Sequence, residues 1–257
     1  FLAESLLTQM IRPGTPTIYA TLPTVADMRT GAYAPGAIET GMLHMACSQM
    51  ARYYNLPSGG YIGLTNSKLV DAQAGYETGM SSVAGLLGGA DMFNVSGLLD
   101  ALMSFDFAKA MIDHEIAQML KRIQRGMEFS EENLALDLIA EVGPQGMFAD
   151  QWHTVERMKD TALLPDIADR DPRGLWQEKG ALDASTRALQ RARDILTRDN
   201  PAVFSPDVDA RVRAHFKNIV AGDSVPPASW KRQAPAAGSS NAYARAERRR
   251  KREAAAG

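Results

Sequence analysis

The sequence holds one cysteine, Cys47, in 257 residues. A lone cysteine excludes an intramolecular disulfide framework, and no Cys/His cluster has zinc-finger spacing. A reducing compartment, the cytoplasm, is the expected location. Long apolar runs are also missing. The least polar stretch, Met80 to Leu99, is interrupted by Ser81, Ser82, Asp91 and Asn94, which argues against a membrane span. No secretory signal pattern is present. Neither G-x-G-x-x-G nor G-x-x-x-x-G-K-[ST] occurs, so the usual nucleotide-binding loops are excluded. No sign of charge dominates: 28 basic residues face 30 acidic ones, for a net charge of −2.

What is present is unevenly placed. From Lys231 onward eight basic residues meet two acids, so this segment carries +6 and residues 1–230 carry −8. The segment 222–257 is rich in Pro, Ala, Ser and Arg and lacks apolar periodicity, which predicts a disordered basic tail. Arg248 to Arg252 resemble an anion-binding run. With no aromatic platform or folded module beside them, they are expected to be a solvated terminus, and nucleic acid is not expected as a partner.

Phe1 to Ile11 has the apolar spacing of a helix interior, with Leu2, Leu6, Leu7, Met10 and Ile11 in step. The sequence is therefore expected to open in the middle of a fold. Three β-rich segments follow: Thr17 to Leu22, Tyr61 to Thr65, and Met92 to Ser96. Helical patterns separate them at Ile38 to Tyr54 and Asp71 to Ala90. A third helix, Phe107 to Arg125, carries a stripe of Phe107, Met111, Ile112, Ile116, Met119, Leu120 and Ile123. Alternating strands and helices predict a parallel α/β sheet. Strand-free helices follow at Glu131 to Val142, Asp183 to Arg198 and Pro206 to Val220. The last opens on Ser205 and directs Val208, Val212, Phe216 and Ile219 inward.

In a parallel α/β architecture, chemistry belongs at the C-terminal ends of the strands. That selects Thr21 to Glu39, Leu64 to Glu77, and Gly97 to Asp106. The second is the densest in polar groups, with Thr65, Asn66, Ser67, Lys68, Asp71 and Gln73. Asn66, Ser67 and Asp71 equally suit helix capping and turn bracing. Lys68 is a Schiff-base candidate, although a loop lysine is ordinarily a solvated charge. Tyr19, Tyr33, Tyr61, Phe93, Phe105 and Phe107 fall near strand ends, and rings facing one hole hold a quaternary ammonium by cation–π attraction. Gly75 and Gly79 predict close packing of their helix on the strands. His44, His114 and His215 lie within helical patterns, on a surface or between helices. His153, in Asp150-Gln-Trp-His-Thr, lies in a non-strand segment able to fold over a site. Cys47 is expected in the core. No Ser/His/Asp order is present, and neither catalytic residues nor metal ligands are assigned.

The segment Asn66-Ser-Lys-Leu-Val-Asp-Ala-Gln-Ala-Gly-Tyr-Glu resembles the "DSK..DAQAGYE" stretch of the trimethylamine:corrinoid methyltransferase family. Gly143-Pro-Gln-Gly-Met-Phe-Ala-Asp-Gln-Trp-His-Thr is similar to that family's "G..FL...HT" stretch. Leu164-Pro-Asp-Ile-Ala-Asp-Arg, Trp176, Gly180, Asp183, Arg187 and Ala192 follow the same pattern downstream. The resemblance covers about residues 1–220 and is specific as a set. Asn66 stands where the family pattern has Asp.

The resemblance implies a TIM barrel that moves a methyl group from a methylated amine to the cobalt of a separate corrinoid protein. Family members are longer, so the chain would be the C-terminal part of a (β/α)8 barrel. Its units would be three β/α repeats over 1–126, a helical extension over 127–221 packed on the barrel, and the tail over 222–257. The N-terminal half of the barrel would belong to the same polypeptide, and the chain alone would be inactive. The founding enzymes carry pyrrolysine, which would fall near Gly63 to Thr65, where this sequence has only standard residues. Members without it include glycine betaine methyltransferases.

The expected substrate is therefore a quaternary or tertiary methylated amine. Tyr33, Tyr61, Thr65, Asn66, Lys68, Gln73, Phe93 and His153 are the expected substrate-binding residues. Corrinoid would come on the partner protein, with no cofactor bound directly, and a homo-oligomer is compatible with this reading. The alternatives are a diverged non-catalytic amine-binding barrel and a Schiff-base lyase using Lys68.

Overall fold

The computed structural model describes residues 1–197 and 205–216. The elements run α1 (Leu2–Ile11), β1 (Tyr19–Thr21), α2 (Ile38–Tyr53), β2 (Ser58–Gly60), α3 (Ala72–Leu87), β3 (Met92–Phe93), β4 (Leu98–Leu99), β5 (Ser104–Phe105) and α4 (Phe107–Arg125). They continue as α5 (Glu131–Leu134), α6 (Leu136–Val142), α7 (Trp152–Thr161), α8 (Arg173–Glu178), α9 (Ala184–Leu196) and α10 (Pro206–His215). The chain divides into two compact units, Phe1–Ala192 and Arg193–Gly257. In the second, α10 follows Ser205, with Val208 and Val212 half-buried and Phe216 exposed. The expected continuation to Val220 and the basic tail lie outside the described residues.

β1, β2 and β3 form a parallel sheet in that order, with Tyr19 opposite Ser58 and Gly60 opposite Phe93. The helices α2 and α3 connect successive strands, as the alternating pattern predicts. The described strands make an open sheet and do not close a barrel.

The middle strand is three residues earlier than expected. Ser58-Gly-Gly, which has the look of a chain breaker, is the strand, and Tyr61 to Thr65 lead out of it. Steric fit explains the shift. A Cβ on Gly60 would run into the Thr21 carbonyl and the ring of His44, and one on Gly59 would meet Cβ of Met92 at 2.9 Å. A central strand squeezed from both faces takes glycine where its backbone is approached closely. The expected loop at 97–104 contains an antiparallel hairpin instead, pairing Leu98 with Phe105 and Leu99 with Ser104.

Helix α3 starts at a cap legible in the sequence: the Asp71 carboxylate accepts from Ala74 N at 3.1 Å, an interaction worth about 1 kcal/mol. Its glycines divide differently from expectation. Gly75 and Gly79 face nothing within 4 Å, whereas Gly85 is the point of close approach, to Ile62 and Phe93. Helix α2 packs on α3 through small residues, with Gly41 against Ser81 and Ala84. His44, on α2, is buried rather than on a surface.

Helix α4 is capped by Asp106, whose side chain accepts from Ala108 N and Lys109 N, and it stops at Gly126. Its buried residues are Ala108, Lys109, Asp113, Glu115 and Leu120. Of the expected apolar stripe only Leu120 is buried, and Ile123 is exposed. The reason is polar: α4 is pinned by Lys109 and Asp113 toward α3, and by Glu115, which accepts from Ile167 N and Ala168 N at 2.6 and 2.9 Å.

The expected helix 131–142 is broken at Ala135, whose φ of 48° is left-handed. Helix α7 opens at Trp152, so His153 lies in a non-strand segment as expected. Apolar cores are small. One joins Val70, Ala74 and Leu99; another joins Ala108, Ile167 and Ala188. The apolar side of α1 stays exposed, with Leu6, Met10 and Ile11 in solvent. Among the described residues no helix is long and apolar enough to cross a membrane.

Candidate functional site

The three loops selected by sequence meet at the C-terminal end of the sheet, around Thr65 to Ser67. The loop after β1 is shaped by Asp27. Its carboxylate accepts from Arg29 N at 2.9 Å and Thr30 N at 3.2 Å, and it pairs with the Arg29 guanidinium. The hydrogen bonds from Arg29 hold the Asp27 carboxyl well below the usual carboxylate range. The turn brings Tyr33 back to bridge Ala26. From there Tyr33 O accepts from Asn66 Nδ2 at 2.9 Å, and Gly36 N donates to Asn66 Oδ1 at 2.8 Å. The loop after β3 joins from the other side: Asp100 N donates to Ser67 O at 2.8 Å and Ala101 N to Thr65 O at 3.0 Å.

At this junction stands a residue the sequence did not single out. The Glu77 carboxylate accepts from Thr65 Oγ1 at 2.6 Å and Asn66 N at 2.8 Å on one oxygen, and from Gln73 Nε2 at 2.9 Å on the other. The available signal was the four-residue spacing of Gln73 and Glu77, which puts both on one helix face. Thr65 is buried, while Asn66, Gln73 and Glu77 are half-buried.

Lys68 is exposed. Its Nζ donates to Asn66 O at 2.7 Å and lies 3.3 Å from Asp100 Oδ1. This solvated, ion-paired amine lacks the desolvation that a Schiff-base nucleophile needs. Asp100, Ala101 and Leu102 have consecutive φ values of 49°, 53° and 78°. Non-glycine residues are rarely left-handed, and strain of this kind gathers at functional sites.

The base of the third loop is fixed by a buried ion pair. Lys109 Nζ binds Asp113 Oδ1 and donates to Thr78 Oγ1 at 3.0 Å, while Asp113 Oδ2 accepts from Gly97 N at 2.7 Å. Both side chains are 1% exposed. Burial pushes the Lys109 pKa down and the Asp113 pKa up, and their mutual attraction opposes both shifts.

The other candidates stand apart. Phe93 turns its ring toward Gly85 of α3. Tyr61 is partly exposed, and its backbone lies beside the buried His44. Desolvation lowers the His44 pKa, and its Nε2 has no partner. His153 is on α7, where its Nε2 donates to Glu132 O at 2.9 Å. It lines an open cleft of about 380 Å³ with Trp152, Glu131 and Asp137. Tyr19 meets the Phe1 ring at a tilt and stacks with Tyr54 at the opposite, N-terminal end of the strands. Among the described residues no three His, Cys, Asp or Glu are gathered as metal ligands would be. The junction offers orientation by amides, a hydroxyl and a carboxylate.

The family model of trimethylamine methyltransferase (MTTB) matches residues 1–220. The chain belongs to this family. It is 38% identical to a glycine betaine methyltransferase of Desulfitobacterium hafniense (strain Y51) over 214 residues, 83% of the chain and 44% of that relative. It is 33% identical to a trimethylamine methyltransferase MttB of D. hafniense (strain DSM 10664 / DCB-2) over 213 residues, 83% of the chain and 43% of the relative. A third MTTB relative, the trimethylamine methyltransferase MttB of Methanosarcina barkeri (strain Fusaro / DSM 804), is 30% identical over 207 residues, 80% of the chain and 42% of the relative. The chain thus spans less than half the length of these curated relatives.

Proposed function

We propose that the chain is the C-terminal part of a (β/α)8 barrel that transfers a methyl group from a quaternary amine, of the glycine betaine type, to the cobalt(I) of a separate corrinoid protein. The observation that carries this reading is the family match over 1–220 together with 38% identity to a glycine betaine methyltransferase. The junction at the C-terminal end of β2 supports it, because ligands of parallel α/β folds bind there.

The chemistry asks little of the protein in proton transfer. The cobalt(I) electron pair attacks the methyl carbon. The C–N bond breaks, its electrons stay on nitrogen, and a neutral tertiary amine leaves. Glycine betaine would give dimethylglycine, with methyl–cobalt as the second product. The protein's part is to orient the methyl and exclude water from the cation. Tyr33, a partly exposed ring on the loop held by Asn66, is proposed to face the ammonium. Thr65, Asn66, Lys68 and Gln73 are proposed to orient the rest of the substrate, including a carboxylate where there is one. The acceptor cobalt arrives as the partner's cargo.

The test is to mix the full-length polypeptide with its corrinoid partner in the cobalt(I) state and screen quaternary amines by methyl–cobalt absorbance. Formation of methyl–cobalt and dimethylglycine from glycine betaine is the expected result. No methyl–cobalt with any quaternary amine overturns the reading.

A further inference from the structure

Tyr33, Thr65, Asn66 and Gln73 come from three separate stretches of chain, and one carboxylate joins them. Glu77 fills three of its roughly four acceptor positions with neutral donors: Thr65 Oγ1, Asn66 N and Gln73 Nε2. Among the described residues no cation pairs with it. Asn66 relays the constraint, holding Tyr33 O and Gly36 N with its side-chain amide. Gly36 is pressed on the same carboxylate. A Cβ there would collide with Glu77 Oε2 and lie 2.8 Å from Asn66 N.

We propose that Glu77 is the positioning residue of this site. It fixes the loop after β2 directly and the loop after β1 through Asn66, so that their side chains converge on one ligand. The two oxygens of one side chain suit this task, one taking Thr65 and Asn66 and the other Gln73. The proposal rests on the reading that these loops bind the amine.

The test compares Glu77→Ala and Glu77→Gln in the full-length polypeptide. Glutamine keeps an oxygen for Thr65 and Asn66, and Gln73 can turn its own amide oxygen toward the new NH2. With the corrinoid partner, Glu77→Ala should raise KM for the amine by about tenfold or more with kcat changed less than about threefold, the signature of lost uniform binding. Glu77→Gln should stay within about threefold of the parent in both. Gly36→Ala, which displaces the carboxylate without altering it, should reproduce Glu77→Ala.

A second arm needs no turnover. Exchange of the Asn66 and Gly36 amide hydrogens should quicken by about tenfold in Glu77→Ala and not in Glu77→Gln. Unchanged exchange in Glu77→Ala overturns the positioning role whether or not methyl transfer is observed. A Glu77→Gln protein as impaired as Glu77→Ala also overturns it, because the charge itself would then be what acts. If methyl transfer fails while the exchange result holds, the functional reading falls and the positioning role stands.

Discussion

Asn66 makes four hydrogen bonds to four different residues. Its side chain donates to Tyr33 O and accepts from Gly36 N, and its backbone donates to Glu77 and accepts from Lys68. An amide side chain does the first two jobs together, whereas an ionised carboxylate has no donor for the first. Aspartate at this position would set an oxygen against the Tyr33 carbonyl and a second carboxylate near Glu77. Asn66→Asp should therefore lower stability by about 1–3 kcal/mol, the range for leaving a polar group unsatisfied. Urea denaturation of the full-length polypeptide measures this, and an unchanged midpoint contradicts the assigned hydrogen bonds. The candidates on the 65–73 segment were legible because a strand-to-helix junction is a local pattern, and so was the Asp71 cap. The role of Asn66 was not, since Tyr33 and Gly36 lie some 30 residues away. Glu77 was passed over because its main partners, Thr65 and Asn66, precede its helix.

At the scale of elements, the loop after β3 is tied to α3 and α4 by Lys109 and Asp113. Lys109→Met would leave Asp113 buried without its cation, a loss of about 3–5 kcal/mol. The double substitution Lys109→Met with Asp113→Asn removes both charges and keeps an acceptor for Gly97 N. It should recover much of that loss in the same denaturation assay. A single variant as stable as the parent would show that the pair does not hold these helices. Sequence could not find this pair, because Lys and Asp four apart on a helix are ordinarily a solvated couple. The buried His44, between α2 and β2, makes a second element-scale prediction. Desolvation lowers its folded-state pKa below the ordinary 6.5. As pH falls through 6.5 the unfolded chain takes up a proton that the folded one refuses, so stability declines on the acid side. One such group contributes a slope of at most about 1.4 kcal/mol per pH unit. His44→Asn should flatten stability between pH 7 and 5, and an unaltered slope would locate the effect elsewhere. The β/α alternation was readable from periodicity. The position of β2 was not, because a strand built of Ser-Gly-Gly carries no apolar signal. Nor was the break at Ala135, which has neither glycine nor proline to mark it.

At the scale of the whole molecule, the sheet order among the described residues leaves one edge of β1 and one edge of β3 without a partner strand in the sheet. The apolar side of α1 is likewise uncovered among the described residues. Open edges and exposed apolar helix faces are features that stable proteins cover. In the proposed barrel, further strands would pair at both edges, which accords with relatives more than twice as long as the matched segment. The proposed methyl transfer then belongs to the whole polypeptide, with the strand-end junction as this chain's share of the site. The most direct measurement is the fate of a labelled methyl group. Glycine betaine carrying 13C in its N-methyl groups is incubated with the full-length polypeptide and its cobalt(I) corrinoid partner. The account predicts one label on cobalt for each dimethylglycine released, whereas dimethylglycine without labelled methyl–cobalt, or no label on cobalt with any quaternary amine, would contradict it.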